Sequence, residues 1–502
     1  MKTDNLQKRI ENLISYACNT NLIHRSDCTW AANQISDLFS FIPDSSWNFT
    51  DNRTEIPFPE VLHTLSAEAI HHHIINNVTW QKDQFENRIM NILTPRPSEV
   101  IKQFQKSYES GPEHSTDYFY QLQKNCYYIK TDCIAKNMQW KWQSIYGTLD
   151  ITINLSKPEI SEEEILAQKN AHSSSYPSDL LCHDNEGYAG SITHPSRMTL
   201  RQIPLLLDQE KWYLQYSPYA YFNEHCIVLT EKKMPMKIDR STFTALLDFL
   251  DQFPHYFIGS NSDLPVCGGS ILSHEHFQGG SYEFAMMNAE VEKEVRLKSY
   301  PSIKAGILKW PLSVLKLETD NREQLIDACT AILKAWQSYD NEKLMLYSHK
   351  ENFLLSTITP IAHFRDGNYV MYLVFRNSLT TREFPLGYFH AHPEYHHIKK
   401  ENIGLIEVMG LAILPARLLK EMKEVKNALL DHSDLYSNPL TSNHAKWVNE
   451  WLPQYPRILP ENIDTILKNE IGKVFVRVME NCSVFPHTEN DQKSFIRFLE
   501  NI

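Results

Sequence analysis

Seven consecutive residues, His274-Glu275-His276-Phe277-Gln278-Gly279-Gly280, constrain this chain more than any other stretch. In an extended strand, alternate side chains share one face. The spacing therefore predicts a strand with His274, His276 and Gln278 on one wall and Glu275 and Phe277 on the other. Gly279 and Gly280 lack Cβ atoms, so the backbone can turn tightly beside a bulky ligand. A neutral imidazole is not repelled by a polyphosphate as an anionic nucleophile would be, and a nearby carboxamide can donate to phosphoryl oxygens. Such a wall suits nucleophilic attack on phosphorus. The plainer alternative is a strand end that happens to hold histidines, in a chain with 22 of them.

The flanking blocks decide between these readings. The chain reads YFNEHCIVL from Tyr221, then FPHYFIGSNSDLPVCGGSILSHEHFQGG, then RNSLTTREFPLGYFHAHPEYHH and IKKENIGLIEVMGLAILPARL. These blocks, in this order, closely resemble the second, bacterial class of galactose-1-phosphate uridylyltransferases in the histidine-triad-like superfamily. The resemblance runs from about Ile151 to Leu418. Histidine-triad hydrolases carry a third histidine where this chain has Gln278, and the glutamine form resembles the transferase branch.

The resemblance implies an α+β fold with two histidine-triad-like halves, each an antiparallel sheet with flanking helices. A helical N-terminal region and a helical C-terminal tail complete it. The expected boundaries are 1–145 for the N-terminal region, 146–300 for the half carrying the HxHxQ strand, 301–430 for the second half and 431–502 for the tail. It also implies a double displacement. His276 takes UMP from UDP-glucose, releasing glucose 1-phosphate, and passes it to galactose 1-phosphate, giving UDP-galactose. His274 would position the strand and Gln278 would donate to the nonbridging oxygens, with Gly279 beside them. Asn261 and Ser270 match residues near the same phosphates. One of Lys399 and Lys400 aligns with a lysine that holds the substrate's second phosphate. Glu407 and Arg417 fall where related enzymes form the hexose site, and Arg197 is a candidate nucleotide contact. Two other readings stay open: a different HxHxQ nucleotidyltransferase or dinucleoside-polyphosphate phosphorylase, and a non-catalytic UDP-sugar-binding paralogue.

The chain also departs from the family's pattern. In the first class of these enzymes a structural zinc is held by two cysteines, a histidine after the CIVL strand and the first histidine of the HxH motif. Here those positions read Asp179, Cys182, Lys233 and His274. An ammonium has no lone pair for a metal, so the changes predict an Asp179–Lys233 ion pair in place of zinc. His390-Ala391-His392 matches histidines that bind iron in the first class. Glu292 would be a further ligand, but Phe375-Arg376-Asn377 offers none. No metal and no cofactor are therefore expected.

Composition fits a soluble globular protein, with 42% hydrophobic and 22% charged residues. A net charge of −12 argues against general nucleic-acid affinity. Nine scattered cysteines without a CxxC pair read as reduced thiols. The N-terminal segment is an amphipathic helix with Leu6, Ile10, Leu13 and Ala17 on one stripe, not a signal peptide. With no run long enough to span a bilayer, a cytoplasmic protein is expected, and a homodimer is its candidate assembly.

Among the remaining elements, SKPEISEEEILAQKN reads as a turn and an acidic-start helix. KWYLQYSP, HCIVL, HYFIGS and YVMYLVFRN read as strands, and residues 241–250 and REQLIDACTAILKAWQSY as helices. ENIGLIEVMGLAIL reads as a long apolar helix interrupted at Pro415, and His390 and His392 as sharing one strand face.

Overall fold

The computed structural model describes residues 3–49, 58–156, 175–269 and 271–502. They form two compact units, each assembled from separate stretches of chain. The first holds Met1–Lys136, Ser156–Leu206 and Glu210–Lys233; the second holds Asn137–Leu155, Leu207–Gln209 and Met234–Ile502. The expected α+β character is present, with helices at both ends of the chain and antiparallel strands between them. No helix among the described residues is long and apolar enough to cross a membrane.

The first unit opens with α1 (Thr3–Asn19), whose predicted stripe of Leu6, Ile10, Leu13 and Ala17 is buried. It packs against α2 (Cys28–Leu38) and α3 (Glu60–His71), and α3 meets α4 (Thr79–Leu93). α5 (Pro97–Tyr108) lies against α6 (Pro112–Asn125). Each begins on a proline, whose missing N–H would have had no partner at that position. After the one-turn α7 (Thr131–Ile134), the second unit takes the hairpin β1 (Met138–Ser144) and β2 (Gly147–Ile153). The first unit resumes with β3 (Ile203–Leu207), β4 (Glu210–Tyr216) and β5 (Cys226–Thr230). β4 and β5 pair antiparallel, with Trp212 opposite Thr230. Of SKPEISEEEILAQKN, the residues from Lys157 onward lie outside the described residues.

The second unit continues through α8 (Arg240–Gln252), β6 (Phe257–Gly259), β7 (His276–Gly280), β8 (Val291–Val295), β9 (Lys304–Leu308) and β10 (Val314–Thr319). Then come α9 (Arg322–Trp336), β11 (Ser356–Arg365) and β12 (Asn368–Asn377). Its strands lie in the order β7-β6-β11-β12-β10-β9-β8. α8 covers β6 and β11 with Phe243, Leu246, Leu247 and Leu250, while α9 covers β10, β11 and β12. The Trp336 indole donates to the carbonyls of Thr357 and Arg376, tying α9 to both long strands.

The apolar run ENIGLIEVMGLAIL is not the single long helix its composition suggests. It forms a one-turn helix, α10 (Leu405–Val408), and then β13 (Leu411–Leu414), which pairs parallel to β2. Gly410 separates them at a φ of 103°, a conformation L side chains rarely adopt. A run apolar on all sides carries no period, so a buried strand and a buried helix look alike in it. The chain closes with α11 (Arg417–Leu430), α12 (Ile463–Asn481) and α13 (Glu489–Glu500). Phe495 and Phe498 of α13 meet Phe375 edge-on. All nine cysteines are free thiols.

Two polar clusters brace the first unit. Lys233 Nζ stands 3.2 Å from Asp179 Oδ2 and donates to the Ser178 carbonyl at 3.1 Å, so the expected ion pair is formed. Beside it, the Cys182 thiol donates to the Asp179 carbonyl and Asn185 donates to Cys182 Sγ. The second cluster centres on His63, 2.9 Å from Glu86 Oε1 through Nδ1 and 3.3 Å from Asp132 Oδ2 through Nε2. Tyr127 donates to the other oxygen of Asp132. The hydrogen bonds to Asp132, then Glu86, raise the His63 pKa from 6.5 to about 9. A pKa raised on folding means that stabilisation is full below pH 6.5 and fades as pH rises through about 9. Urea unfolding at pH 6.5 and 9.5 should show that loss in the native chain and a smaller one in His63→Gln. An equal pH dependence in both would remove His63 as its source.

Candidate functional site

β7 places His276 at its first residue and Gln278 two residues on, so these two share a strand face as the spacing predicts. His274 does not. It lies in the bend before the strand, fully buried, and contributes its backbone. Its carbonyl oxygen is 2.8 Å from His276 Nδ1. A carbonyl can only accept, so Nδ1 carries the hydrogen, and in the neutral tautomer the lone pair is on Nε2. His276 is 4% exposed, and its neighbour Phe277 is buried against the core. Glu275 is nearly buried, and that burial, with Asp239 nearby, raises its carboxyl to about 7. Gln278 and Gly279 pair with Gly259 and Ile258 of β6, which fixes the register of the histidine strand.

The turn after β6 is held in place from the far part of the chain. Asn261, buried, accepts the Leu405 N–H at 2.8 Å through Oδ1. Gly268 has a φ of 111°, and a Cβ there would stand 2.5 Å from the Ile403 carbonyl oxygen and 2.8 Å from Gly404 Cα. Only glycine permits both the conformation and the approach. The loop that leads into the histidine strand thus rests directly on residues 403–405. Ser270 lies outside the described residues.

Lys399 and Glu407 meet behind this contact. Lys399 Nζ is 2.6 Å from Glu407 Oε1 and donates to the Ile413 carbonyl, and the two residues are 4% and 5% exposed. Glu407 also accepts the Gly404 N–H at 3.2 Å. Lys399 is therefore a buried structural cation, whereas Lys400 is exposed. Arg417, at the start of α11, donates to the carbonyls of His397 and His396 and pairs with Glu421 at 2.6 Å. It grips the segment that runs into the lysine pair. Arg197 belongs to the first unit, where its guanidinium stands 5.8 Å from the centre of the Tyr128 ring.

The second HxH pair differs from its expected geometry. His390 and His392 lie in a loop, where Pro393 begins a short turn, rather than on a strand. His390 Nε2 is 2.8 Å from Asn402 Oδ1, and His392 Nε2 is 3.1 Å from the Tyr388 carbonyl. Glu292 lies on β8 and is exposed. These partners do not fit an iron site, and Lys233 does not fit a zinc site. Among the described residues no group of three or more His, Cys, Asp or Glu side chains is placed to hold a metal. Sequence reasoning missed Arg376, a buried arginine on β12 whose Nη2 donates to the Ile403 carbonyl at 3.0 Å. A lone arginine in a strand gives no pattern to find.

Comparison with known proteins agrees with this arrangement. The N-terminal domain of galactose-1-phosphate uridyl transferase matches residues 47–235 and its C-terminal domain matches 249–449. A domain of unknown function also matches residues 197–281. A galactose-1-phosphate uridylyltransferase of Clostridium acetobutylicum is 45% identical over 497 residues, covering 98% of this chain and 99% of that protein. One from Clostridium perfringens is 44% identical, covering 99% of each, and one from Bacillus subtilis 42%, covering 99% and 97%. A solved yeast Ap4A phosphorylase is 11% identical with a TM-score of 0.34, covering 66% of this chain and 95% of that one. That likeness is too slight to carry weight. Identity above 40% along the whole length is another matter, and on it the chain belongs to the galactose-1-phosphate uridylyltransferase family.

Proposed function

We propose that this chain transfers the uridylyl group of UDP-glucose to galactose 1-phosphate through a covalent adduct on His276. Family membership supports the substrates. Within the site, the observation that carries the reading is the hydrogen bond from His276 Nδ1 to the His274 carbonyl, which leaves the lone pair on Nε2. In the first step that pair bonds to the α-phosphorus while the bond to the bridging oxygen breaks, and glucose 1-phosphate leaves with its electrons. The ring then carries positive charge, and the His274 carbonyl stabilises it through the retained Nδ1 hydrogen. In the second step a phosphate oxygen of galactose 1-phosphate attacks, the nitrogen–phosphorus bond breaks, and UDP-galactose departs. Both leaving groups are weakly basic, so no strong general acid is needed. The remaining work is alignment and neutralisation of charge.

Gln278 donates to the nonbridging oxygens in this scheme, with Gly279 giving the phosphate room. Asn261 commits its oxygen to Leu405, leaving its amide nitrogen as the donor to a phosphate, and Ser270 is assigned to the same group. Lys400 is assigned to the second phosphate, because Lys399 is already engaged by Glu407. Glu407 and Arg417 shape the hexose side by fixing the segments around them, and Arg197 is assigned to the nucleotide.

Incubating the protein with UDP-glucose alone should add one acid-labile UMP and release one equivalent of glucose 1-phosphate. His276→Asn should abolish the adduct, since an amide is a poor nucleophile, and His274→Asn should weaken it less. Intact mass showing no adduct on folded native protein would defeat the mechanism. The two lysines should separate by readout. Lys400→Ala should lower kcat/KM by about tenfold to a hundredfold with unchanged unfolding. Lys399→Met strands a buried carboxylate and should cost roughly 3–5 kcal/mol of stability. Adding Glu407→Gln to it should recover part of that loss. If Lys399→Met unfolds like the native chain, the buried pair has been misread.

A further inference from the structure

Two buried arginines of this chain are satisfied to very different degrees. Arg201 donates to the carbonyls of Pro95, Met198 and Leu200. Arg376, only 2% exposed, donates from Nη2 to the Ile403 carbonyl, and its Nη1 is buried with no acceptor. No carboxylate among the described residues forms an ion pair with it. A guanidinium taken out of water without a counter-charge is costly, and a single carbonyl does not offset the loss. A fold that keeps such a group has a use for its charge.

Its surroundings indicate what that use is. The Ile403 carbonyl it holds is the atom against which Gly268 packs, at the start of the loop leading to His276. Its charge opposes the burial that raises the thiols of Cys267 and Cys482, and adds to the burial that lowers His390. Cys267 is the residue immediately before Gly268. The cation therefore stands behind the glycine loop, on the side where Asn261 and Leu405 join it to α10. An anion bound at that loop would lie near a cation that no carboxylate among the described residues pairs directly, although Asp263 and Glu407 act on the same two thiols in the opposite sense.

We propose that Arg376 is a positioning residue for the transfer. It pins the Ile403 carbonyl beneath the glycine loop and supplies a positive charge, not directly paired to a carboxylate, that a bound phosphoryl group balances. This rests on the reading of the site as one that takes phosphorylated ligands. The charge is a burden to the empty protein and an asset to the complex, so stability and activity should move in opposite directions when it is removed.

The test compares Arg376→Met and Arg376→Lys with the native protein. Arg376→Met should melt at or above the native temperature, bind inorganic phosphate at least ~10-fold more weakly by calorimetry, and form the UMP adduct at least ~10-fold more slowly. Arg376→Lys keeps the charge but not the fork, and should recover part of both losses. An Arg376→Met that labels and binds phosphate at native levels would overturn the proposal. So would equal losses in both variants that merely follow a lowered melting temperature. Should Arg376→Met fail to fold, the Arg376→Lys comparison decides alone: native phosphate binding and labelling would again overturn it. Phosphate binding needs no turnover, so a native protein that binds phosphate but forms no adduct would count against the transfer mechanism and leave Arg376 to be judged by calorimetry.

Discussion

The Ile403 carbonyl is approached from two directions at once, by the backbone of Gly268 and by the Arg376 guanidinium. The first approach depends on a missing Cβ, and the second is a hydrogen bond from a guanidinium with no directly paired carboxylate among the described residues. With the Asn261–Leu405 hydrogen bond, they fasten the loop before the histidine strand to the turn that begins α10. The approach to His276 is thus fixed by contacts more than a hundred residues away along the chain. A bulky residue at Gly268 would do more than disturb a loop. It would push the segment leading to His276 away from the segment carrying Glu407.

Charge is handled differently on the two sides of this contact. Lys399 and Glu407 neutralise one another in the interior, which costs desolvation but leaves no net field. Arg376 is left without such a partner. One basic group is thus neutralised in place, another is held by a backbone carbonyl, and Lys400 lies exposed at the surface. Phosphoryl transfer asks for this division, because its barrier falls through alignment and electrostatics rather than through strong acids or bases.

The strand geometry at the candidate site was partly legible in the sequence, and the departures have physical causes. The period of two across His276 and Gln278 survives because a buried strand must keep its register. His274 escaped the pattern because strand and bend share the same letters, and its carbonyl is taken by the His276 ring. The Asp179–Lys233 pair was readable because the two positions carry opposite charges, and the structure brings them to 3.2 Å. The run from Asn402 to Leu414 was misjudged because uniform burial erases periodicity, and Gly410, at a positive φ, marks the break between helix and strand. His390 and His392 show that a spacing of two says nothing about a shared face when turns at 385–386 and 388–389 keep the segment out of any strand.

The parallel pairing of β2 with β13 brings together strands about 260 residues apart in the chain, so closing it requires a very long loop. During synthesis the β1–β2 hairpin emerges long before its third strand exists. One flank of β2 must wait, with its ladder of N–H and C=O groups unpaired, until Leu411–Leu414 leave the ribosome. That interval is when a nascent chain is most exposed to pairing with a neighbouring copy. Fragments that end before Leu411 would keep the vulnerable flank permanently, so a premature stop there should yield a sticky product as well as an inactive one.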